Sequence, residues 1–336
     1  MQLVTPLGLR RARREQGLVK TCSACRWPVK VREFHNHHFD STIWNSFRFR
    51  DDDIVISTYA KSGTTWMQQL VAQLVFGQDP FVPVADISPW VDLRFPLKTE
   101  KLAIIEGQSH RRFLKTHLPV DALVYSPRAK YIYVARDGRD VLLSLFNHHT
   151  QASDLWYRLL NETPGLVGPP MTRPATTVQA YFDEWLFGNG EPFWPFWDNV
   201  RSWWSIRHLP NLLLVHFSDL KTDLASEVRR IAHFLDIELN DAQMSRLLEH
   251  CSFAYMKRHG HLAAPFGGKL WNGGATHFIN KGTNGRWRGV IDASAVDAYE
   301  SMAIDHLGAE CASWLTNGSQ LHHDEGREAF GAFTRP

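Results

Sequence analysis

Short apolar runs that alternate with amphipathic segments dominate the sequence. The apolar runs are rich in Ile, Val, Leu and Tyr, which predicts strands buried on both faces of a parallel sheet. These runs cover residues 54–56, 112–117, 131–136 and 212–217. Apolar positions three and four residues apart predict helices at residues 67–76, 139–149, 197–207 and 225–235. Strands that alternate with helices favour an α/β fold with a doubly wound parallel sheet flanked by helices.

The segments around these elements differ in composition. Prolines break the pattern over residues 80–96, and a Pro- and Gly-rich stretch over residues 161–174 predicts a long surface loop or lid. We expect residues 1–30 to form a disordered basic tail, with a targeting segment or an early start codon as alternatives, and residues 318–336 to form a polar tail. The sequence therefore predicts a single folded domain over residues 31–317.

Composition narrows the possible functions. The chain of 336 residues has a formal net charge of +2, and so balanced a charge argues against a nucleic-acid-binding protein. No apolar run reaches the ~18 residues of a membrane span, and the few cysteines fit a reducing compartment, so we expect a cytoplasmic protein. Cys22 and Cys25 form one CxxC without a second pair, so we expect no metal site. The nearby His35, His37 and His38 keep metal binding open.

The segment after the first predicted strand has the composition of an anion-binding loop. Residues 59–66 have the sequence Tyr-Ala-Lys-Ser-Gly-Thr-Thr-Trp, and a predicted helix follows that Thr64 or Thr65 can cap. At such a junction the backbone N–H groups and the positive end of the helix dipole point at one place. Lys61 adds positive charge, and the hydroxyl groups add hydrogen-bond donors. The pattern predicts a P-loop-like phosphate site.

This loop nevertheless differs from the Walker A loop, which needs Gly, four residues and then Gly-Lys-Ser/Thr. Here Lys61 comes two residues before Gly63, the only glycine of the loop. A nucleotide kinase or other P-loop phosphotransferase remains an alternative, and so does a nucleotide-binding protein without catalytic activity. Taken alone, the segment also fits an ordinary strand-to-helix turn with a surface lysine.

Three further groups of polar residues lie near later predicted strands or in a loop. Lys115 and His117 end the second strand, where α/β sheets gather their ligands, and a histidine there suits a general base. Arg136 ends the third strand, and Ser144 lies about two turns into the next helix. Residues 278–288 place two glycines and three cations in one predicted loop. Each group also has a simpler interpretation. His117 could be a core histidine, Arg136 could belong to an Arg–Asp ion pair, and residues 278–288 could be a solvated loop. Together the groups favour a nucleotide with separated anionic groups.

From about residue 39 to residue 288 the sequence resembles the cytosolic sulfotransferases that use 3′-phosphoadenylyl sulfate (PAPS). The motifs occur in the order of that family. The loop at residues 59–66 resembles the 5′-phosphosulfate loop, and residues 115–117 resemble the segment with the catalytic histidine. Arg136 and Ser144 resemble the pair that holds the 3′-phosphate, and Ser252-Phe253 resembles the segment whose aromatic ring packs on adenine. Residues 281–287 resemble the C-terminal phosphate motif.

The resemblance implies transfer of a sulfuryl group from PAPS to a hydroxyl or amine of a small hydrophobic acceptor, with no metal. His117 would be the general base, Lys61 would stabilise the leaving phosphate, and Lys115 would hold the sulfuryl oxygens. PAPS would be held by a larger set of residues. These are Lys61, Ser62, Gly63, Thr64, Thr65, Trp66, Arg136, Ser144, Phe217, Cys251, Phe253, Asn280, Lys281 and Gly282.

The chain departs from the family pattern at several positions. Ala60 stands where proline is usual, Asn280 replaces an arginine, Phe217 stands at an expected tyrosine and Cys251 at an expected threonine. The usual dimerisation signature is not visible in residues 288–300, so both a monomer and a homodimer remain open.

The sequence leaves the acceptor open. Three aromatic pairs or runs favour a small hydrophobic molecule as the partner, rather than a nucleic acid or a membrane. They lie at Pro89-Trp90, at residues 193–197 and at Trp203-Trp204. We expect residues 80–96, 150–174 and 260–277 to build the acceptor pocket.

Overall fold

Four parallel strands form the centre of the protein, which we describe from a computed structural model. The structure describes residues 26–321 except residues 78, 80 and 175, so the predictions on Cys22 and Cys25 lie outside the described residues. The strands are β1 (Ile54–Thr58), β2 (Phe113–Thr116), β3 (Lys130–Ala135) and β4 (Leu212–His216). Their order is β2-β1-β3-β4, and every neighbouring pair is parallel.

The sheet buries both of its faces, because side chains along a strand point alternately to opposite sides. Ile54 and Ile56 of β1 belong to one apolar core, together with Val134 of β3. Val55 belongs to a second and larger core, together with Tyr133. Because successive residues of each strand face two different apolar cores, the strands are apolar along their whole length. The predicted α/β fold with a doubly wound sheet in a single domain is confirmed.

Helices cover both faces and both ends of the sheet. They are α1 (Thr64–Val75), α2 (Val84–Ile87), α3 (Lys98–Glu106), α4 (Gly138–Thr150), α5 (Asp154–Glu162), α6 (Val178–Phe187), α7 (Phe196–Ser205), α8 (Phe217–Thr222), α9 (Leu224–Phe234), α10 (Asp241–His250), α11 (Phe253–Arg258), α12 (Gly260–Ala263), α13 (Ala275–Phe278), α14 (Ala293–Leu307) and α15 (Ala309–Asn317). Short 3-10 turns add Ser41–Ser46, Val120–Ala122, Pro265–Gly268 and Gly318–Leu321. Within the described residues, no helix is long and apolar enough to cross a membrane.

Two of the segments predicted as loops have more structure than expected. The Pro- and Gly-rich stretch begins inside α5 and is then held by the buried Arg94, which donates to the carbonyl oxygens of Leu160 and Pro164 at 2.9 and 3.3 Å. Residues 260–277 contain α12 and most of α13 instead of one open loop. Of the two, residues 260–277 line the cavity at the C-terminal edge of the sheet, through Phe266 and Trp271.

Candidate active site

The turn between β1 and α1 has the conformation of an anion-binding loop. Gly63 has a φ of 112°, and a Cβ there would lie 2.8 Å from the ring of Phe217, so only glycine fits. The predicted threonine cap is wrong, because Gly63 is the N-cap residue and makes no side-chain cap. The hydroxyl of Thr64 lies 2.6 Å from that of Thr58 instead. The first N–H groups of α1 are therefore not capped by a side chain, which suits an anionic ligand.

A cavity of about 380 Å³ opens beside this loop and extends along the C-terminal edge of the sheet. It is lined by all but one of the predicted site residues. They are Lys61, Gly63, Thr64, Thr65, Trp66, Lys115, His117, Arg136, Ser144, Phe217, Cys251, Phe253, Asn280, Lys281 and Gly282. The exception is Ser62, whose hydroxyl is buried without a hydrogen-bond partner in the described part of the chain. Six segments that are separate in sequence thus meet at one cavity.

His117 is held in one tautomer. Its Nδ1 lies 2.7 Å from the carbonyl oxygen of Thr58, and a carbonyl only accepts, so Nδ1 carries the hydrogen and Nε2 keeps a free lone pair. Burial and the charge of Lys115 lower the pKa of His117 well below 6.5, so the ring is neutral at pH 7. The amide of Asn199 donates to the backbone carbonyl of His117 at 2.9 Å. The ring is thereby positioned as an unprotonated base.

The half-buried Lys61 and the buried Lys115 bring two positive charges to the cavity. The Nζ of Lys61 lies 4.4 Å from the ring of Phe278, and the Nζ of Lys115 lies 4.4 Å from the ring of Trp90. Neither lysine forms an ion pair with a carboxylate among the described residues. Burial lowers the pKa of Lys61 to about 7 and that of Lys115 to about 8. A bound anion would supply the missing negative charge and raise both pKa values.

Arg136 faces the cavity from the end of β3. Its guanidinium lies 4.3 Å from the ring of Phe217 and donates to the carbonyl oxygen of Thr283 at 2.8 Å. The Arg–Asp ion pair considered as the alternative does form in this segment, but between Arg139 and Asp137 at 2.8 Å and without Arg136. Among the described residues, Arg136 hydrogen-bonds neutral oxygens only, which leaves its charge available to an anion.

The C-terminal loop is fixed against the same part of the cavity. The carboxylate of Asp140 accepts the N–H groups of Gly285 at 2.8 Å and of Arg286 at 3.3 Å. Gly282 has a φ of 60°, and a Cβ there would lie 2.7 Å from the ring of Phe253. The glycine thus lets the loop pass directly over that aromatic ring.

Aromatic side chains also line this end of the cavity. Trp66 and Phe253 both line the cavity, and the indole N–H of Trp66 donates to the carbonyl oxygen of Cys251 at 2.8 Å. Phe217 meets Trp66 edge to face, with ring centroids 5.4 Å apart. Cys251 itself is fully buried, so its backbone and not its thiol positions Trp66.

The opposite end of the cavity is aromatic. Lining residues there include Trp90, Trp156, Phe193, Trp194, Phe266 and Trp271. Four aromatic residues expected near an acceptor are not part of it, namely Phe196 and Trp197 of the run at residues 193–197, and Trp203 with Trp204. Trp203 stacks on Tyr133 with ring centroids 5.4 Å apart, and Trp204 packs on Trp314 at 5.0 Å. Those two rings fill the core instead.

Sequence reasoning missed several residues of the site. Thr58 and Asn199 position His117 through hydrogen bonds that no local pattern announces. His148 also lines the cavity, with its Nδ1 3.4 Å from the Nζ of Lys61. One signal was present, because His148 lies four positions after Ser144 and residues four apart share a helix face.

The comparison with protein families identifies the chain. A family model described as a sulfotransferase domain matches residues 51–308. The chain belongs to the sulfotransferase family. This sulfotransferase is 31% identical over 272 residues to a glycolipid sulfotransferase of Mycobacterium bovis (strain BCG / Pasteur 1173P2), with 74% of this chain and 83% of the relative covered. It is 28% identical over 284 residues to Sulfotransferase 1B1 of Mus musculus, with 81% and 88% covered.

Solved structures show the same fold. The sulfotransferase is similar to retinol dehydratase in complex with androsterone and the inactive cofactor PAP, with 25% identity, a TM-score of 0.62 and coverage of 79% of this chain and 83% of that one. A mouse sulfotransferase complexed with PAP is 22% identical, with a TM-score of 0.63 and coverage of 82% and 92%.

Proposed function

We propose that this sulfotransferase moves the sulfuryl group of PAPS to a hydroxyl or amine of a small acceptor bound at the aromatic end of the cavity. The position of His117 carries the proposal. Its Nδ1 is tied to Thr58, which leaves the lone pair of Nε2 for a proton, and Lys61 and Lys115 line the same cavity. A neutral base in the same cavity as the cations Lys61 and Lys115 suits transfer of an anionic group to a neutral acceptor.

The nucleotide half of PAPS fits the opposite end. The uncapped first turn of α1 would hold the 5′-phosphosulfate, and Arg136 with Ser144 would hold the 3′-phosphate. Adenine would lie between the rings of Trp66 and Phe253, near Phe217 and Cys251. Asn280, Lys281 and Gly282 of the C-terminal loop would close over the donor, since all three line the cavity. Two similar proteins that bind PAP, the product left by PAPS, support this arrangement.

The transfer would proceed in line. The acceptor oxygen forms a bond to sulfur while the bond from sulfur to the bridging phosphate oxygen breaks, and PAP leaves. His117 Nε2 takes the acceptor proton as the new bond to sulfur forms. Lys61 stabilises the charge that grows on the bridging oxygen, and Lys115 holds the sulfuryl oxygens. The fixed cations and N–H groups supply this stabilisation from the protein itself.

The acceptor would be small and largely apolar. The aromatic end offers the faces and edges of several Trp and Phe rings, which bury such a molecule well. Among the similar proteins, one is named for glycolipids and another binds androsterone. Phenols, sterols and glycolipids are therefore the classes to screen.

Ligand-induced thermal stabilisation tests the proposal. In EDTA, PAP should raise the Tm of the purified protein by several degrees, whereas ATP with Mg²⁺ should have little effect. Transfer of sulfate from PAPS to members of the acceptor panel should then follow. Stabilisation by ATP with Mg²⁺ and not by PAP would contradict the proposal and favour a kinase.

A further inference from the structure

A buried histidine, His38, and a half-buried one, His148, line the aromatic end and have no role in the proposed chemistry. The ring of His38 lies 5.9 Å from that of Trp90 and 5.6 Å from that of Trp194. The ring of His148 lies 5.0 Å from that of Trp271. Both histidines line the cavity. A wholly apolar acceptor would cover their ring nitrogens without giving them hydrogen bonds, which is costly.

A chain of hydrogen bonds fixes the tautomer of His38. His37 Nε2 lies 2.7 Å from the carbonyl oxygen of Pro192, so His37 Nε2 carries a hydrogen. Burial lowers the pKa of His37 to about 4, so the ring is neutral and its Nδ1 can only accept. That Nδ1 lies 2.5 Å from His38 Nδ1, which must therefore donate. His38 Nε2 is left with a lone pair.

This lone pair is available to a ligand. Within the described part of the chain, His38 Nε2 has no hydrogen bond, and it is not among the polar atoms that are sealed from solvent. His38 lines the cavity, and we take its exposed Nε2 to face that cavity. His38 therefore presents a hydrogen-bond acceptor to the bound molecule.

His148 presents the opposite group. Its Nδ1 lies 3.4 Å from the Nζ of Lys61. With PAP bound Lys61 is protonated, and a protonated amine only donates, so Nδ1 then accepts. Burial and the charge of Lys61 lower the pKa of His148 well below 6.5 and keep the ring neutral. The single ring hydrogen is then on Nε2. His148 therefore presents a hydrogen-bond donor.

We infer that the acceptor carries a second hydroxyl besides the one that receives sulfate, and that His38 and His148 bind it. A hydroxyl is the small neutral group that can donate to His38 Nε2 and accept from His148 Nε2. The inference rests on the proposed function, because it places the acceptor at the aromatic end. It names diols, catechols and sugars as the substrate class, in preference to simple phenols and alcohols.

Binding of three matched ligands tests the inference. Isothermal titration into protein saturated with PAP would compare 2-naphthol, 3-methoxy-2-naphthol and 2,3-dihydroxynaphthalene. We expect the diol to bind at least about tenfold more tightly than 2-naphthol, because a site built for a hydroxyl rejects an analogue that lacks it. The methoxy compound satisfies only the His148 donor and should lie between them. Equal Kd values, or no measurable binding of the diol, would overturn the inference.

Two variants assign the selectivity to these histidines. His148→Phe and His38→Phe keep a ring in place, and each should reduce the ratio of the two Kd values towards one. His149→Phe is the matched control, because His149 is buried one position further along α4 and does not line the cavity, and its ratio should not change. An unchanged ratio in a folded His148→Phe protein would contradict the assignment.

The binding assay separates this inference from the proposed function. It needs no turnover, so selective binding of the diol would stand even if no sulfate were transferred. Loss of PAP stabilisation would instead overturn the proposed function. Sulfate transfer with equal affinity for all three naphthols would support the function and reject the second hydroxyl.

Discussion

The two ends of the cavity are built in different ways. The nucleotide end consists of short contiguous segments that directly follow strands or begin helices, and its groups are backbone N–H groups and cations. The acceptor end consists of single side chains from distant segments, such as His38, Trp90, Trp156 and Trp271. Anion binding is thus determined by local turn geometry, whereas the acceptor pocket is determined by tertiary packing.

His117 lies between the two ends, and its removal should have the largest effect. We expect His117→Ala to lower kcat by roughly 10² to 10⁴, the usual contribution of a general base, with the Kd for PAP nearly unchanged. The assay is sulfate transfer, together with titration of PAP. His306→Ala, at an exposed histidine, is the control. Turnover that survives in His117→Ala would show that another group takes the proton.

Lys61 should separate binding from chemistry at the nucleotide end. Lys61→Met keeps the length of the side chain and removes its charge, so we expect kcat to fall by roughly 10² to 10³. The affinity for PAP should fall much less, because the loop N–H groups and Arg136 remain. Lys269→Met, at an exposed lysine outside the cavity, is the control. A change confined to the Kd would make Lys61 a binding residue only.

Lys61 and Lys115 should make nucleotide binding depend on pH. In the free protein, the pKa values of about 7 for Lys61 and about 8 for Lys115 mean that both lose their charge as the pH rises from 7 to 9. Bound PAP would raise both values, so binding takes up protons. The affinity should therefore fall as the pH rises, by at most about tenfold per unit for each lysine.

Calorimetry in buffers of different ionisation enthalpy measures this proton uptake. At pH 8, wild-type protein should take up more protons on binding PAP than Lys61→Met does. A Kd that stays constant between pH 7 and 9 would mean that the lysines are charged before the nucleotide arrives.

Asn280 offers the smallest effect. It stands where the resembling family has an arginine, and it lines the cavity on the C-terminal loop. Asn280→Arg should tighten PAP binding by roughly threefold to tenfold through one charge-assisted hydrogen bond, with little change in kcat. Asn280→Gln controls for side-chain length. Weaker binding in the arginine variant would place the 3′-phosphate away from this residue.

The fold and the glycine-dependent turn at residues 59–66 were predictable because their signals are local. Apolar runs at β1 and β3 fit strands buried on both faces, and Gly63 belongs to a motif whose backbone requires a glycine. The family resemblance was confirmed, and residues from all four predicted groups line one cavity. The threonine cap failed because the Thr64 side chain binds Thr58, a contact between a helix start and a strand end.

The aromatic end was predictable in part, because each of the three segments expected there supplies lining residues, such as Trp90, Trp156 and Trp271. Its two histidines were not predictable, for a physical reason. His38 and His148 are 110 positions apart, and only packing brings both to one cavity. The Trp203-Trp204 pair has the same composition as the lining, yet it lies in the core because Tyr133 and Trp314 receive its rings. Aromatic content therefore identifies a pocket poorly, and the partner of each ring decides its place.

The contacts of Arg136 and Asp140 also bear on how long the nucleotide stays bound. Arg136 donates to Thr283, and Asp140 accepts from Gly285 and Arg286, so the chain that would cover the phosphate is tied to the strand and helix beneath it. Entry and exit of a nucleotide then require these bonds to break together. The residence time of the product would then depend on this one loop. The rate of a complete catalytic cycle could be limited by opening of the loop and not by the transfer step.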